Sequence, residues 1–165
     1  MKIYLDMDGV IADFTTQYES LFGQRPSDIQ RRQKEFWKNW DIYVTGGNFL
    51  KQPKLAGADR LLQHIHALNV PVEILSSSGG QKHHECVVAQ KNAWLRNHGI
   101  MYKANIVPGG SKKAEYASPW NILIDDTEHV VEKYRAAGGT AILHHDVDVT
   151  IKELSRLALE WNGGQ

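Results

Sequence analysis

The segment KIYLDMDGV, residues 2–10, is the part of the sequence that decides the fold. Its β-compatible residues run into two aspartates and a glycine, which is typical of a short strand that ends in a sharp turn. Residues i and i+2 of an extended segment face the same side, so Asp6 and Asp8 can address one point. Asp-Gly is also common in solvated hairpin turns, so this motif alone leaves both interpretations open.

Strand patterns alternate with helix patterns along most of the chain. The predicted strands are residues 2–6, 70–75, 104–107, 120–124 and 140–143. The predicted helices are residues 11–22, 58–68, 81–98, 128–137 and 149–161. This alternation predicts an α/β fold with a doubly wound, parallel, Rossmann-like sheet.

One connection is longer than such a fold requires. Between Asp8 and the strand that begins near Pro71 lie 62 residues, about twice the length of a whole βαβ unit. We predict that residues 15–56, which we call the cap, form a small, mainly helical insertion after the first strand. Residues 1–14 and 57–165 would then form the α/β core.

The amino-acid composition excludes several classes of protein. The chain has 165 residues, of which 42% are hydrophobic, with 19 Lys and Arg against 19 Asp and Glu. These values fit one globular domain and argue against a disordered chain or a generally basic nucleic-acid binder, so we expect no stable nucleic-acid binding. With one cysteine and no long apolar run, we expect a reduced, cytoplasmic protein that does not enter a membrane. The oligomeric state stays open.

The balanced charge is unevenly distributed. Residues 24–54 contain seven Lys and Arg but three acidic residues, a net charge of +4, so the remainder carries −4. The same stretch contains five aromatic residues. A basic, aromatic cap above an acidic core is what an enzyme acting on phosphate esters would need.

Hydroxyl groups follow the second core strand, where residues 76–80 read SSSGG. Hydroxyls and backbone N–H groups that lead into a helix can bind a phosphate oxygen. Serine is also an ordinary N-cap residue, and for this segment alone the capping interpretation is favoured.

Two carboxylates, Asp125 and Asp126, directly follow the strongly apolar strand 120–124. If they face a site that already holds Asp6 and Asp8, these hard oxygen ligands predict Mg²⁺. The alternative is that Asp126 caps the next helix while Asp125 is solvated.

Two lysines, Lys112 and Lys113, precede this last strand and could offset the charge of a phosphoryl group. Either one alone is more simply an exposed surface lysine. It is the ordered set of Asp-x-Asp, serine, lysine and Asp-Asp at strand ends that favours a catalytic site.

The sequence resembles the haloacid dehalogenase superfamily of phosphohydrolases and, within it, the 5′(3′)-deoxyribonucleotidase family. The resemblance rests on DMDGVIADF, residues 6–14, and LIDD, residues 123–126, and it covers roughly residues 1–14 and 70–145. It implies a haloacid dehalogenase-like core and Mg²⁺-dependent hydrolysis of phosphate monoesters. The implied substrates are (deoxy)nucleoside monophosphates.

The resemblance also implies catalytic roles. Asp6 would be the nucleophile that forms an aspartyl-phosphate, which divides one difficult displacement into two easier ones. Asp8 would protonate the leaving oxygen and then deprotonate the attacking water. Ser76 would orient the phosphoryl group, and Lys113, which fits the family spacing better than Lys112, would neutralise it.

The implied metal ligands are Asp6, the backbone carbonyl of Asp8, and Asp126. Asp125 would lie behind them and hold the lysine in place. The cofactor expected from this set of oxygens is Mg²⁺.

Candidate substrate-binding residues come from the same comparison. Phe14 matches an aromatic residue that packs near the nucleoside in the family, and Ser77 adjoins the serine that orients phosphate. The cap segment FWKNW, residues 36–40, resembles an aromatic base-binding patch, so Trp37 and Trp40 are candidates for stacking on a base. We expect at least half of the cap aromatics to form the cap's own core. A short cap and SGG in place of a proline-containing turn depart from the family pattern and bear on the substrate.

Other functions fit part of the pattern. A phosphatase that acts on the 3′-phosphate ends of nucleic acids, or on another small phosphorylated metabolite, is the main alternative. A signalling receiver domain also uses aspartates, a hydroxyl and a lysine. In receivers, however, the acidic pair comes first and the lysine last, which is the reverse of the order here. A silent binding protein is disfavoured because both acidic motifs are intact.

Overall fold

Five parallel strands form one sheet, and each lies within two residues of a predicted strand. The computed structural model describes residues 1–29 and 33–163. The strands are β1 (Lys2–Leu5), β2 (Val72–Ser77), β3 (Lys103–Val107), β4 (Asn121–Asp125) and β5 (Thr140–Leu143). Their order across the sheet is β3-β2-β1-β4-β5, with every neighbouring pair parallel. The predicted doubly wound α/β fold is confirmed.

Helices cover both faces of this sheet. They are α1 (Phe14–Phe22), α2 (Lys34–Thr45), α3 (Asn48–Lys51), α4 (Ala58–Ala67), α5 (His84–Asn97), α6 (Glu128–Ala136) and α7 (Val147–Gly163). Two 3-10 segments span Pro26–Asp28 and Gly110–Tyr116. No helix in the described ranges is both long and apolar enough to cross a membrane.

The core lies in two layers because the central strands β1 and β4 are buried on both faces, which explains their nearly continuous apolar runs in the sequence. Ile3 and Leu5 of β1 point to the layer under α4, α5 and α7, where they pack with Leu61 and Trp94. Tyr4 points to the opposite layer, which α6 and the 110–116 segment cover. The central position of β1 therefore places the DMDGV motif between the two halves of the sheet.

The strand order reverses beside β1, since the chain continues from β1 outward through β2 and β3 and then returns to β4. Ligands of open α/β sheets bind beyond the carboxyl ends of the strands at such a switch point. The pairing of Leu5 with Ile74 on one side and Ile124 on the other brings the ends of β1, β2 and β4 together.

The cap contributes its own aromatic cluster, whose buried members include Tyr18, Phe36, Tyr43 and Phe49. Val87 of α5 belongs to the same cluster, so the cap packs on the core at that helix. The division into a core and a cap at residues 15 and 56 stays a prediction. The basic residues Arg31 and Arg32, which contribute to the predicted charge of the cap, lie outside the described residues.

The first helix begins later than the apolar pattern indicates. Residues 11–13 were expected to be helical, whereas α1 starts at Phe14. Asp13 is the N-cap, and its carboxylate accepts hydrogen bonds from the backbone N–H and the hydroxyl of Thr16, at 3.0 and 2.7 Å. Ile11 is fully buried in the core without being helical, which is why the pattern extended too far.

Candidate active site

The acidic motif after β1 turns back toward the end of β4. Gly9 has a φ of +75°, a conformation that side chains disfavour, and a Cβ at this position would overlap the carboxylate of Asp126. Glycine is therefore needed both for the turn and for the close approach. The two acidic motifs, separated by more than a hundred residues, meet at this point.

Asp6 is buried and held at both oxygens. Its Oδ1 accepts a hydrogen bond from the backbone N–H of Met7 at 2.7 Å, and its Oδ2 lies 2.9 Å from Nζ of Lys113. Burial disfavours the charge of this carboxylate, but the ammonium groups of Lys113 and Lys91 and the Ser76 hydroxyl outweigh it and lower the pKa of Asp6. Asp6 is thus ionised at neutral pH, as a nucleophile must be.

The structure separates the two candidate lysines. Lys113 is fully buried and also donates to Oδ2 of Asp125 at 2.6 Å, whereas Lys112 is exposed and pairs with Glu115. Although burial alone would lower it, the neighbouring carboxylates of Asp6 and Asp125 raise the pKa of Lys113. Lys113 is therefore the lysine that the fold brings to the site.

Asp125 and Asp126 lie at the end of β4, each close to Asp6. Burial, followed by the charge of Asp6, raises the pKa of Asp125 to about 6 and that of Asp126 to about 7. Asp6, Asp125 and Asp126 each offer an oxygen within 4.8 Å of the others, an arrangement that could hold a metal ion.

The donor set fits a hard divalent cation. In the described part of the chain, Lys91 and Lys113 are the cations that contact the site's four carboxylates, Asp8 included, so two negative charges are uncompensated when all four carboxylates are ionised. Oxygen ligands and two excess charges suit a divalent ion of the Mg²⁺ type. Both oxygens of Asp125 already accept hydrogen bonds, from Lys113 and from the backbone N–H of Thr127, whereas no lysine among the described residues contacts Asp126.

The predicted serines lie in residues 76–80, which span the end of β2 and the turn after it and which we call the serine loop. Ser76 is completely buried, and the hydroxyl of Ser77 accepts a hydrogen bond from the backbone N–H of Gly79 at 3.0 Å. Ser78 anchors the loop, since its hydroxyl contacts His84 Nδ1 at 2.8 Å and donates to the carbonyl of Gly80. The loop is held in a defined conformation beside Asp6.

Lys91 of α5 is a site residue that the sequence reasoning did not identify. It is 1% exposed, and its ammonium group donates to Asp8 Oδ2 at 2.6 Å, to Ser76 Oγ at 2.8 Å and to the carbonyl of Ser77 at 2.7 Å. The sequence signal was present, because Lys91 interrupts a helical face formed by Val87, Trp94 and Leu95.

A cavity of about 280 Å³ opens in front of these groups. It is lined by nine of the ten predicted site residues: Asp6, Asp8, Phe14, Trp37, Trp40, Ser76, Ser77, Lys113 and Asp126. Asp125 is the tenth and lies behind Lys113. The lining also includes Thr127 and His129 at the start of α6, which sequence reasoning did not single out.

The cap forms the aromatic side of this cavity. Trp37 is 49% exposed and Trp40 is half-buried, whereas Phe36, Tyr43 and Phe49 are buried, so most of the cap aromatics form its core as expected. The Trp40 ring lies against Gly79, where a Cβ would overlap it. The cap thus directly contacts the serine loop.

Comparison with known proteins gives a family match for this chain. The family model described as 5′ nucleotidase, deoxy (pyrimidine), cytosolic type C protein (NT5C) matches residues 1–163. Comparison with curated protein sequences gives no significant match to this chain.

Solved structures share the fold at low sequence identity. A hydrolase from Streptococcus pneumoniae TIGR4 is 13% identical, with a TM-score of 0.55, over 93% of this chain and 97% of that protein. A haloacid dehalogenase family hydrolase from Deinococcus radiodurans R1, solved with bound phosphate and sodium, is 14% identical, with a TM-score of 0.55, over 85% and 78% of the two chains. With the match over residues 1–163, the chain belongs to the NT5C family of 5′-nucleotidases, which are haloacid dehalogenase-like hydrolases.

Proposed function

We propose that this protein is a Mg²⁺-dependent phosphatase that releases phosphate from (deoxy)nucleoside monophosphates through an aspartyl-phosphate on Asp6. The observation that carries the proposal is the placement of the ionised Asp6 in a cavity with an aromatic wall on one side and Lys113 on the other. This pocket combines a carboxylate nucleophile, a cation for the phosphoryl group and a flat apolar surface for a base.

Asp6 attacks phosphorus in the first step, and the bond from phosphorus to the ester oxygen breaks. Asp8 gives a proton to that leaving oxygen and, in the second step, takes a proton from the water that hydrolyses the aspartyl-phosphate. The Ser76 and Ser77 loop orients the phosphoryl oxygens, and Lys113 neutralises charge on them. The alcohol product and inorganic phosphate then leave.

Mg²⁺, when bound, would be held by Asp6, the backbone carbonyl of Asp8, and Asp126, and would neutralise charge as the phosphoryl group is transferred. Asp125 acts through Lys113, because its Oδ2 accepts the hydrogen bond that orients the ammonium group at 2.6 Å. This role agrees with the occupation of both Asp125 oxygens by other donors.

Phe14, Trp37 and Trp40 bind the nucleoside. Ring faces stack on any base, so this wall supplies affinity with modest discrimination between bases. Phe14 is fixed for this purpose by the buried Tyr43, whose ring centroid lies 5.0 Å away. A small phosphorylated substrate and a cytoplasmic location are part of the same proposal.

Substitution of Asp6 by asparagine tests the chemistry. Asp6→Asn should abolish Mg²⁺-dependent phosphate release from a generic aryl phosphate, because the amide is not a nucleophile. The exposed Asp148→Asn is the matched control and should retain activity. Full activity of the Asp6→Asn variant would contradict the proposed mechanism.

A substrate panel tests the specificity. Nucleoside monophosphates should be hydrolysed with higher kcat/KM than oligonucleotides with a 3′-phosphate or simple sugar phosphates. Preference for the oligonucleotides would favour the alternative function on nucleic-acid ends. Equal turnover of sugar phosphates would remove the base-stacking role of the cap.

A further inference from the structure

Asp8 has two oxygens in very different surroundings. Its Oδ2 accepts the 2.6 Å hydrogen bond from Lys91, whereas its Oδ1 is buried and accepts a hydrogen bond from no group in the described residues. Buried polar atoms nearly always have a partner, so an orphaned carboxylate oxygen beside a reaction site needs an explanation.

Lys91 has no remaining hydrogen-bonding capacity. An ammonium group has three donors, and those of Lys91 are used by Asp8, by the Ser76 hydroxyl and by the Ser77 carbonyl. The ammonium group also lies 5.0 Å from the centre of the Phe49 ring, which covers it from the cap side. Lys91 is therefore placed to hold other groups and does not line the cavity.

We propose that Lys91 is a positioning residue that fixes the carboxyl group of Asp8 in the orientation from which it gives its proton to the leaving oxygen. With Oδ2 held by Lys91, the carboxyl group cannot exchange its two oxygens by rotation without breaking a 2.6 Å contact. The same ammonium group also donates to Ser76 and Ser77 of the serine loop. It therefore fixes the position of Asp8, the proton donor, relative to the loop that binds the phosphoryl group.

This inference rests on the proposed phosphatase function. In the step concerned, the bond from Asp6 to phosphorus forms, the bond from phosphorus to the leaving oxygen breaks, and the proton of the Asp8 carboxyl group moves to that oxygen. Protonation of the leaving oxygen accelerates this step most when the leaving group is a poor one, such as an alkoxide. It accelerates the step least when the leaving group is a stable anion such as 4-nitrophenolate.

The test compares Lys91→Met with the wild type on benzyl phosphate and on 4-nitrophenyl phosphate, in saturating Mg²⁺. Methionine is similar in length and uncharged. General acid catalysis typically contributes 10²- to 10⁴-fold, so kcat/KM for benzyl phosphate should fall by at least about 100-fold. The fall for 4-nitrophenyl phosphate should be much smaller, so the dependence on leaving group becomes steeper.

Matched variants control for effects on folding. Lys103→Met replaces an exposed lysine on β3 and should leave both rates unchanged. Lys91→Gln retains one N–H donor toward Asp8 and should show a smaller change in the same direction. Circular dichroism and thermal unfolding establish whether each variant is folded.

The outcomes separate this inference from the proposed function. A wild-type protein that hydrolyses neither ester contradicts the function itself. An active wild type with a folded Lys91→Met that loses both substrates equally, or neither, contradicts the positioning role. Failure of both Lys91 variants to fold would assign the residue a structural role and would also overturn it.

Discussion

Replacing Asp126 by asparagine should stabilise the metal-free protein at neutral pH, although it removes a residue from the active site. Burial and the charges of Asp6 and Asp125 raise the pKa of Asp126 to about 7. The folded state therefore binds a proton more tightly than the unfolded state, and stability is lost as the pH rises through the folded pKa. Asparagine is nearly isosteric with aspartate and carries no charge. The Asp126→Asn variant therefore keeps its stability as the pH rises.

The magnitude follows from the two pKa values. A rise from 3.8 to about 7 corresponds to about 4 kcal/mol of destabilisation once the pH is above 7. At pH 4 the cost is below about 1 kcal/mol, because the carboxyl group is protonated in the folded state and is still about 40% protonated in the unfolded state, where its pKa is 3.8. In a domain of this size, about 4 kcal/mol corresponds to a difference in Tm of roughly 8–16 °C.

Urea unfolding in EDTA, from pH 4 to pH 8, measures the effect. The free energies of unfolding of wild type and Asp126→Asn should agree at pH 4 and separate as the pH rises, while the exposed Asp148→Asn follows the wild type. Added Mg²⁺ should raise the stability of the wild type at pH 8 by mass action and that of Asp126→Asn much less. If Asp126→Asn is no more stable than the wild type at pH 8 in EDTA, the electrostatic argument is wrong.

Two further variants probe the cap and its contact with the core. Gly79→Ala places a Cβ at a φ of +75° and against the Trp40 ring, so it should cost about 1–3 kcal/mol and raise KM for nucleoside monophosphates. Unchanged KM and Tm would show that Trp40 does not depend on this contact. Tyr43→Phe removes the buried hydroxyl that accepts a hydrogen bond from Gln52 at 2.9 Å and should cost about 1–3 kcal/mol. Urea unfolding measures that loss, and a fall in kcat/KM without any loss of stability would contradict a purely structural role.

The strands were predictable because their signal is local and redundant. The central strands β1 and β4 are buried on both faces, so a run such as residues 122–124 is apolar whatever the packing details. The start of α1 was not predictable from apolar spacing, because Val10 and Ile11 are buried in a non-helical turn, where their backbone N–H groups donate to the carbonyl of Met7. The capping contact of Asp13 with Thr16, which does mark the helix start, was visible in the sequence as an Asp-x-x-Thr pattern.

The acidic groups were predictable for a different reason. Parallel strands place their carboxyl ends at one edge, so polar residues after β1, β2 and β4 must converge there. Topology does not decide which of two adjacent residues in an irregular segment faces the site. Lys112 and Lys113 lie in the same 3-10 segment, and only the packing of that segment turns one outward and the other toward Asp6.

A count of charges in the sequence could have identified Lys91 as a site residue. Four carboxylates at one sheet edge, with Lys113 as the predicted counter-charge and the expected Mg²⁺ supplying two more positive charges, leave one negative charge unmatched. A lysine within a buried apolar face must itself be paired, since an unpaired buried charge costs several kcal/mol. In α5, the spacing of Val87, Lys91, Trp94 and Leu95 puts such a lysine on the face toward the sheet. An unmatched carboxylate and an unmatched lysine could both have been found in the sequence and would then predict each other, and in the structure Asp8 and Lys91 are that pair.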